Sequence, residues 1–181
     1  MILYHFTSGF SLRGIAHHGL TIGDVPTDIA HFGGRVGVWF TSSPSSNGHG
    51  LGSAVALERI SYRLRVDVPE TAALVKWSEW FPENVTPETI ANLHGLGQAF
   101  DTWWVYFGAV PPSAILSCVD MSTGSEVTNW GEVSPPEMDY PAISPSRAKE
   151  WHRRLMRKAR KTWIGYYGSK EAYLRAQPWL A

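Results

Sequence analysis

His5 and Thr7 stand two residues apart in the opening stretch ILYHFT. In a strand they share one face with Leu3, while Tyr4 and Phe6 share the other. An imidazole beside a hydroxyl can hydrogen-bond a ligand's hydroxyl groups or move a proton near neutral pH. The plainer reading is a core histidine bonded to backbone. His49 lies between Gly48 and Gly50 in NGHGL. Flanking glycines let a ligand approach the backbone, and an imidazole there can act as acid or base. Its plainer reading is a surface histidine on a flexible loop. Arg63 and Arg65 alternate with Leu64 and Val66 in SYRLRVDV. Guanidinium groups clamp phosphates bidentately; the alternative is the solvated polar face of a strand. Arg153, Arg154, Arg157, Lys158 and Lys161 crowd one stretch together with Arg147, Lys149 and Arg160, and Glu150 is the single acid among them. Trp151, Trp163, Tyr166 and Tyr167 are interleaved or follow closely, a mixture suited to phosphate backbone and stacked bases. The alternative is a helix docked by an apolar stripe with its charges in solvent. His17, His18, His31 and His94 have no metal-ligand spacing with one another or with Cys118, so no metal site is expected.

These residues need elements to hold them. Residues 2–6 read as a short strand. Residues 12–18 read as a short helix with Ser11 as its N-cap, Gly19 in the left-handed position after it and Leu20 packing back. Residues 21–35 are turn-rich, and 36–41 (VGVWFT) read as a second strand. The loop 42–53 is long and rich in Gly and Ser. Tyr62, Leu64, Val66 and Val68 alternate with Arg63, Arg65 and Asp67 in a third strand. Residues 76–81 are aromatic and ambiguous. Thr86, Pro87 and Glu88 open a helix reaching about residue 93. Two further strands follow at 103–107 (WWVYF) and 114–119. A long helix over 146–163 carries Trp151, Leu155, Ala159 and Trp163 as an apolar stripe, and 170–176 form a short final helix. Strands and helices do not strictly alternate, which points to an α+β fold. The division is a core over 1–121, an irregular acidic linker over 122–146 and a basic helical extension over 147–181.

The chain's 181 residues are enough for one well-cored domain, and a hydrophobic share of 44% is that of a soluble globular protein. The single cysteine, Cys118, excludes a disulfide framework within the chain. The opening residues lack a basic segment followed by an apolar run, and no stretch has the length of a membrane span, so a cytoplasmic location is expected. Zero net charge hides a split. Residues 1–146 hold six Lys/Arg against fourteen Asp/Glu, and residues 147–181 hold ten against two. The basic end is suited to nucleic acid, to a protein partner or anionic surface, or to the chain's own acidic body.

Four stretches in order, LYHFT, HHGL, VWFTSSP and VPPSAI, together resemble the ADP-ribosyltransferase-like fold. They look most like its branches containing the RNA 2′-phosphotransferases and the DarT-type DNA-modifying toxins. The resemblance spans residues 1 to about 119. It implies a split two-sheet core with NAD in the cleft between the sheets, NAD serving as substrate. It implies that His5 bonds a ribose and that Thr7, Trp39, Thr41, Arg63 and Arg65 hold the rest of the dinucleotide. Cleavage of the nicotinamide–ribose bond builds oxocarbenium charge, which a carboxylate normally supports. Here the chain departs from the pattern. The position where the transferases carry Glu, at the start of the late strand, is Trp103. Asp101 lies two residues earlier, and no Glu occurs between Glu88 and Glu126. Asp101 or His49 is therefore expected to stand in for it. The expectation is NAD-dependent ADP-ribosyl transfer to nucleic acid or a nucleic-acid-bound protein. The alternatives are an enzyme acting on RNA 2′-phosphate, since the phosphotransferases use His and Arg instead of that Glu, and a non-catalytic binding protein, for example of a mobile element, that blocks a host factor.

Overall fold

The computed structural model describes residues 1–49, 60–96, 99–133, 143–169 and 171–172. The second part of the loop 42–53, much of the linker 122–146 and most of the helix expected at 170–176 lie outside the described residues. Among the described residues eight strands and four helices run in the order β1 (Ile2–Thr7), α1 (Gly9–His18), β2 (Asp24–Asp28), β3 (Gly33–Val36), β4 (Val38–Thr41), β5 (Tyr62–Asp67), β6 (Leu74–Lys76), α2 (Trp77–Asn84), α3 (Pro87–Leu96), β7 (Trp103–Tyr106), β8 (Ile115–Asp120) and α4 (Ala148–Tyr167). The α+β class follows directly from this order.

Six strands form one antiparallel sheet in the order β6-β7-β4-β1-β5-β8, and β2 and β3 form a separate ribbon. The described strands thus divide unequally between a six-stranded sheet and a two-stranded ribbon. One seam of the larger sheet is thin. β1 pairs with β5 along its whole length, from Ile2↔Asp67 to Thr7↔Tyr62, and β4 pairs with β7 from Val38↔Tyr106 to Thr41↔Trp103. β1 and β4 meet at one register pair, Tyr4↔Thr41. The sheet is two three-stranded halves joined at a single point.

Alternation gives the sheet two faces with different cores. Leu3, Val38, Phe40, Leu64, Val66 and Cys118 point to one face, where Leu12 and Ile15 of α1 and Leu20 and Val110 close over them. Val105 and Trp103 point to the other, where Val25, Trp77 and Val85 cover the β4–β7–β6 half. Burial pushes the Cys118 thiol up to about 11, which keeps it inert.

Several local expectations are corrected. α1 starts at Gly9, and Ser8, extended at φ −89° and ψ 157°, takes the N-cap position expected of Ser11. Ser11 lies in the first turn, its amide donating to the Ser8 carbonyl at 3.1 Å. Residues 21–35 hold the β2–β3 ribbon, which two glycines and Pro26 concealed from any propensity argument. Gly37 separates β3 from β4, so the strand expected at 36–41 begins at Val38. The aromatic stretch 76–81 is a strand end followed by α2. In α4 the buried residues are Ala148 and His152, and Trp163, expected in the docked stripe, is 48% exposed.

Candidate functional site

The stretches LYHFT, HHGL, VWFT and VPP lie close together in the fold, with β7 beside them. LYHFT is β1, VWFT is β4 and WWVY is β7, three adjacent strands. HHGL meets VPP directly: Leu20 and Val110 exchange two backbone hydrogen bonds of 2.9 Å each. Gly19 makes this approach possible. It sits at φ +79°, and a Cβ there would fall 1.9 Å from the Val110 carbonyl oxygen.

His5 occupies the thin seam. Its Nδ1 lies 2.8 Å from the carbonyl oxygen of Trp39, on the strand across the seam. A carbonyl only accepts, so Nδ1–H is the donor and Nε2 carries the lone pair. Burial disfavours the charged ring and holds its pKa below the ordinary histidine value, against the opposing pull of that carbonyl. Nε2 has no partner among the described residues, and it is not one of the sealed, unsatisfied side-chain atoms. The result is a fixed, neutral imidazole presenting one acceptor. Thr7 follows on the same face, buried at the end of β1.

The remaining candidates fall mostly on the opposite face. Trp39 points away from His5 and packs among Trp77 and Trp103 at centroid distances of 4.9 and 5.7 Å. Its Nε1–H donates to the Asp24 carbonyl at 2.7 Å. Thr41 is buried; its Oγ1 accepts from the Ser43 amide at 3.0 Å and lies 2.9 Å from Thr102 Oγ1. Arg63 donates to the Pro44 carbonyl at 2.6 Å and lies over the Tyr4 ring, and Arg65 is exposed beside it. Register pairs Tyr4 with Arg65 and Phe6 with Arg63, which places both guanidiniums on the face that His5 and Thr7 do not use.

His49 closes this second face. The indole Nε1–H of Trp103 donates to its Nδ1 at 2.8 Å, so Nε2 carries the proton and donates to the Ser45 carbonyl at 2.9 Å. Burial holds its pKa down as well. Both nitrogens are therefore engaged, and its ring lies 5.9 Å from that of Phe6. Asp101 is exposed in the single turn Phe100–Thr102 that leads into β7. It neighbours His94, whose ring stacks on Phe100 at 3.9 Å and accepts from Trp77 Nε1–H at 3.3 Å. The structure thus gathers His49 and Trp103 near Phe6, sets Asp101 at the head of β7, and separates Arg63 and Arg65 from His5.

α4 sits on the β2–β3 ribbon. His152 Nε2 lies 2.8 Å from Asp24 Oδ1, and Arg160 reaches the His31 carbonyl and the Phe32 ring. This anchor was not anticipated, because a histidine among eight cations reads as one more solvated charge. Arg153, Arg154, Arg157, Lys158 and Lys161 are all exposed. Arg154 pairs with Glu150, and the others form no ion pair with a described residue. An open groove of about 400 Å³ between α1 and the turn Trp130–Glu132 is lined by Arg13, His17, Asn129 and Trp130, and none of the candidates above borders it. Among the described residues no group of three or more His, Cys, Asp or Glu is placed to hold a metal ion, and no helix is long and apolar enough to cross a membrane. Comparison of the chain with protein-family models, curated proteins and solved structures finds no match to any of them.

Proposed function

We propose that the chain binds NAD at the seam between β1 and β4 and transfers its ADP-ribose to nucleic acid or a nucleic-acid-bound protein. The observation that carries this reading is His5: a neutral imidazole fixed by the Trp39 carbonyl, with Nε2 free to accept from a ribose hydroxyl. The contact of LYHFT, HHGL, VWFT and VPP in one unit supports it, since four separated stretches need not have met. In the reaction the nicotinamide–ribose bond breaks and nicotinamide leaves with the bonding pair. An acceptor nucleophile then bonds to the ribose carbon and gives up its proton. Asp101, exposed and at the head of β7, is the better stand-in for the missing Glu. His49 has both nitrogens engaged and serves instead to hold its loop against Trp103.

A second reading, nucleotide binding without turnover, is favoured by one observation: no carboxylate is hydrogen-bonded to His5 or His49 among the described residues. One experiment decides between them. NAD labelled in its adenylate phosphate is mixed with protein and separate pools of DNA, RNA, 2′-phosphorylated RNA and cell protein. Label transferred to one pool, lost in His5→Ala, supports transfer. Saturable NAD binding with neither nicotinamide release nor label transfer supports binding alone. Absence of NAD binding overturns both.

A further inference from the structure

His49 is held by two bonds that only one form of its ring can make. The Trp103 indole Nε1–H donates to Nδ1 at 2.8 Å, and Nε2–H donates to the Ser45 carbonyl at 2.9 Å. An indole nitrogen only donates, so Nδ1 must keep its lone pair and the ring must be neutral. A second proton would set N–H against N–H and leave the buried indole without an acceptor. Around this pair residues 42–49 are fastened at three more points. The Ser42 amide donates to the Thr102 carbonyl at 3.0 Å, Arg63 donates to the Pro44 carbonyl at 2.6 Å, and the Ala99 amide donates to the Gly48 carbonyl at 2.8 Å. Gly48 stands at φ +78°, where a Cβ would come 3.1 Å from that of Ala99. The loop therefore grips both flanks of the turn Phe100–Thr102, which carries Asp101. Its start is tied through Ser42 and Arg63, by bonds that no proton breaks in mild acid. Its later part is tied through Gly48 and His49. The titratable and charged groups on this side are Tyr4 of β1, Arg63 and Arg65 of β5 and Asp101 of the turn, with His94 of α3 stacked on Phe100. None of them is hydrogen-bonded to His49. Burial is what lowers its pKa, against the pull of the Ser45 carbonyl.

We infer that His49 is a pH-operated latch, which fastens residues 45–49 to β7 in neutral solution and releases them on protonation in mild acid, while Ser42 and Arg63 keep the start of the loop in place. The imidazole takes one proton from solvent at Nδ1, and the bond from Trp103 breaks. The tie between Gly48 and Ala99 adjoins that bond and loosens with it. The turn that presents Asp101 then keeps its tie to Ser42 and loses the one at its other flank. This regulation of Asp101 rests on the role proposed for it above; the latch itself does not.

The test is nuclear magnetic resonance on the whole nitrogen-labelled protein, without NAD, in steps from about pH 7.5 to about pH 5. The Trp103 indole and Ala99 amide resonances are expected to shift together, with one midpoint below the ordinary histidine value of about 6.5. Protection of the Ala99 amide against hydrogen exchange is expected to fall about tenfold over the range, since one linked proton changes an opening equilibrium by up to tenfold per pH unit. The Ser42 amide keeps its protection throughout, which separates release of the latch from loss of the fold. Gln carries an acceptor and a donor and takes no proton in this range, so both signals are expected to stay flat in His49→Gln. In His49→Ala the Ala99 amide is expected to show in neutral solution the low protection that the parent reaches only in acid. Resonances that fail to titrate in the parent, that titrate equally in His49→Gln, or a Ser42 amide that loses protection with Ala99 would overturn the inference. No readout involves NAD, so failure of the latch and failure of the transfer reading are separately visible.

Discussion

At the scale of single residues the deciding feature is His5, whose Nδ1 is committed to the Trp39 carbonyl and whose Nε2 has no partner among the described residues. His5→Asn tests it more sharply than alanine. The Asn Nδ2–H₂ takes the place of Nδ1–H and keeps the bond to the Trp39 carbonyl, while the acceptor at Nε2 is lost. We expect His5→Asn to melt within a few degrees of the parent and to lose NAD binding at least tenfold; equal NAD titrations for the two would remove His5 from the site. A pH dependence follows from the same chemistry. His5, His49 and His94 are all held below the ordinary histidine value, in each case chiefly because burial disfavours the charged ring. The unfolded chain therefore binds more protons than the folded one in mild acid, and stability rises with pH there. This contribution is complete above the unfolded value of about 6.5 and is lost as pH falls through it toward the depressed folded values. His49 has a second reason to resist protonation, since a proton on Nδ1 would face the Trp103 indole N–H. The melting temperature is expected to be lower near pH 5 than near pH 7, with the slope reduced in His49→Gln; a flat profile would contradict this assignment of neutral rings.

At the scale of elements the fold hangs on close approaches that only particular residues permit. Gly19→Ala forces a Cβ into the Val110 carbonyl at a positive φ, and should destabilise by roughly 2–4 kcal/mol in denaturant titration. Gly95 is the control, because it lies inside α3 and a Cβ there would meet nothing within 4 Å. Gly95→Ala should be neutral or stabilise by up to about 1 kcal/mol. The strongly patterned elements were legible in sequence. The alternation of SYRLRVDV marked β5 and its faces, and Thr86–Pro87–Glu88 marked the start of α3. The β2–β3 ribbon was not legible, because its pairing through Gly33, Gly34 and Pro26 runs against strand propensity. Nor was the division of the candidate site. Alternation already separated His5 from Tyr4, but setting Trp39, Arg63 and Arg65 on Tyr4's side needed the register Tyr4↔Thr41 and Tyr4↔Arg65, which no local pattern encodes. The docking of α4 was misplaced for the same kind of reason: His152, not Trp163, finds a partner, and that partner is Asp24 on a strand the sequence did not announce.

At the scale of the whole molecule the division of charge has a direction. The body through residue 146 is net acidic, and α4, which meets it through the part-buried His152–Asp24 pair and through Arg160 on the His31 carbonyl and the Phe32 ring, leaves Arg153, Arg154, Arg157, Lys158 and Lys161 exposed. For the nucleic-acid acceptor proposed above, the net charge of the body opposes a polyanion and that of α4 favours it, so binding is expected on the helix side. Binding is then expected to fall steeply with salt, because each phosphate neutralised on a single strand releases condensed counterions and contributes a slope of about −0.7 in log affinity against log salt. Arg157 and Lys161 are exposed and form no ion pair among the described residues, so the double variant Arg157→Gln, Lys161→Gln should leave the melting temperature unchanged. It should weaken oligonucleotide binding at low salt and flatten the slope by about 1.4, the contribution of two phosphates. Anisotropy titrations of parent and double variant over a range from about 50 to 200 mM salt read both quantities. A slope unaffected by the double substitution would place the phosphate contacts elsewhere, on Arg63 and Arg65 of the sheet face or on the basic residues nearer the start of α4.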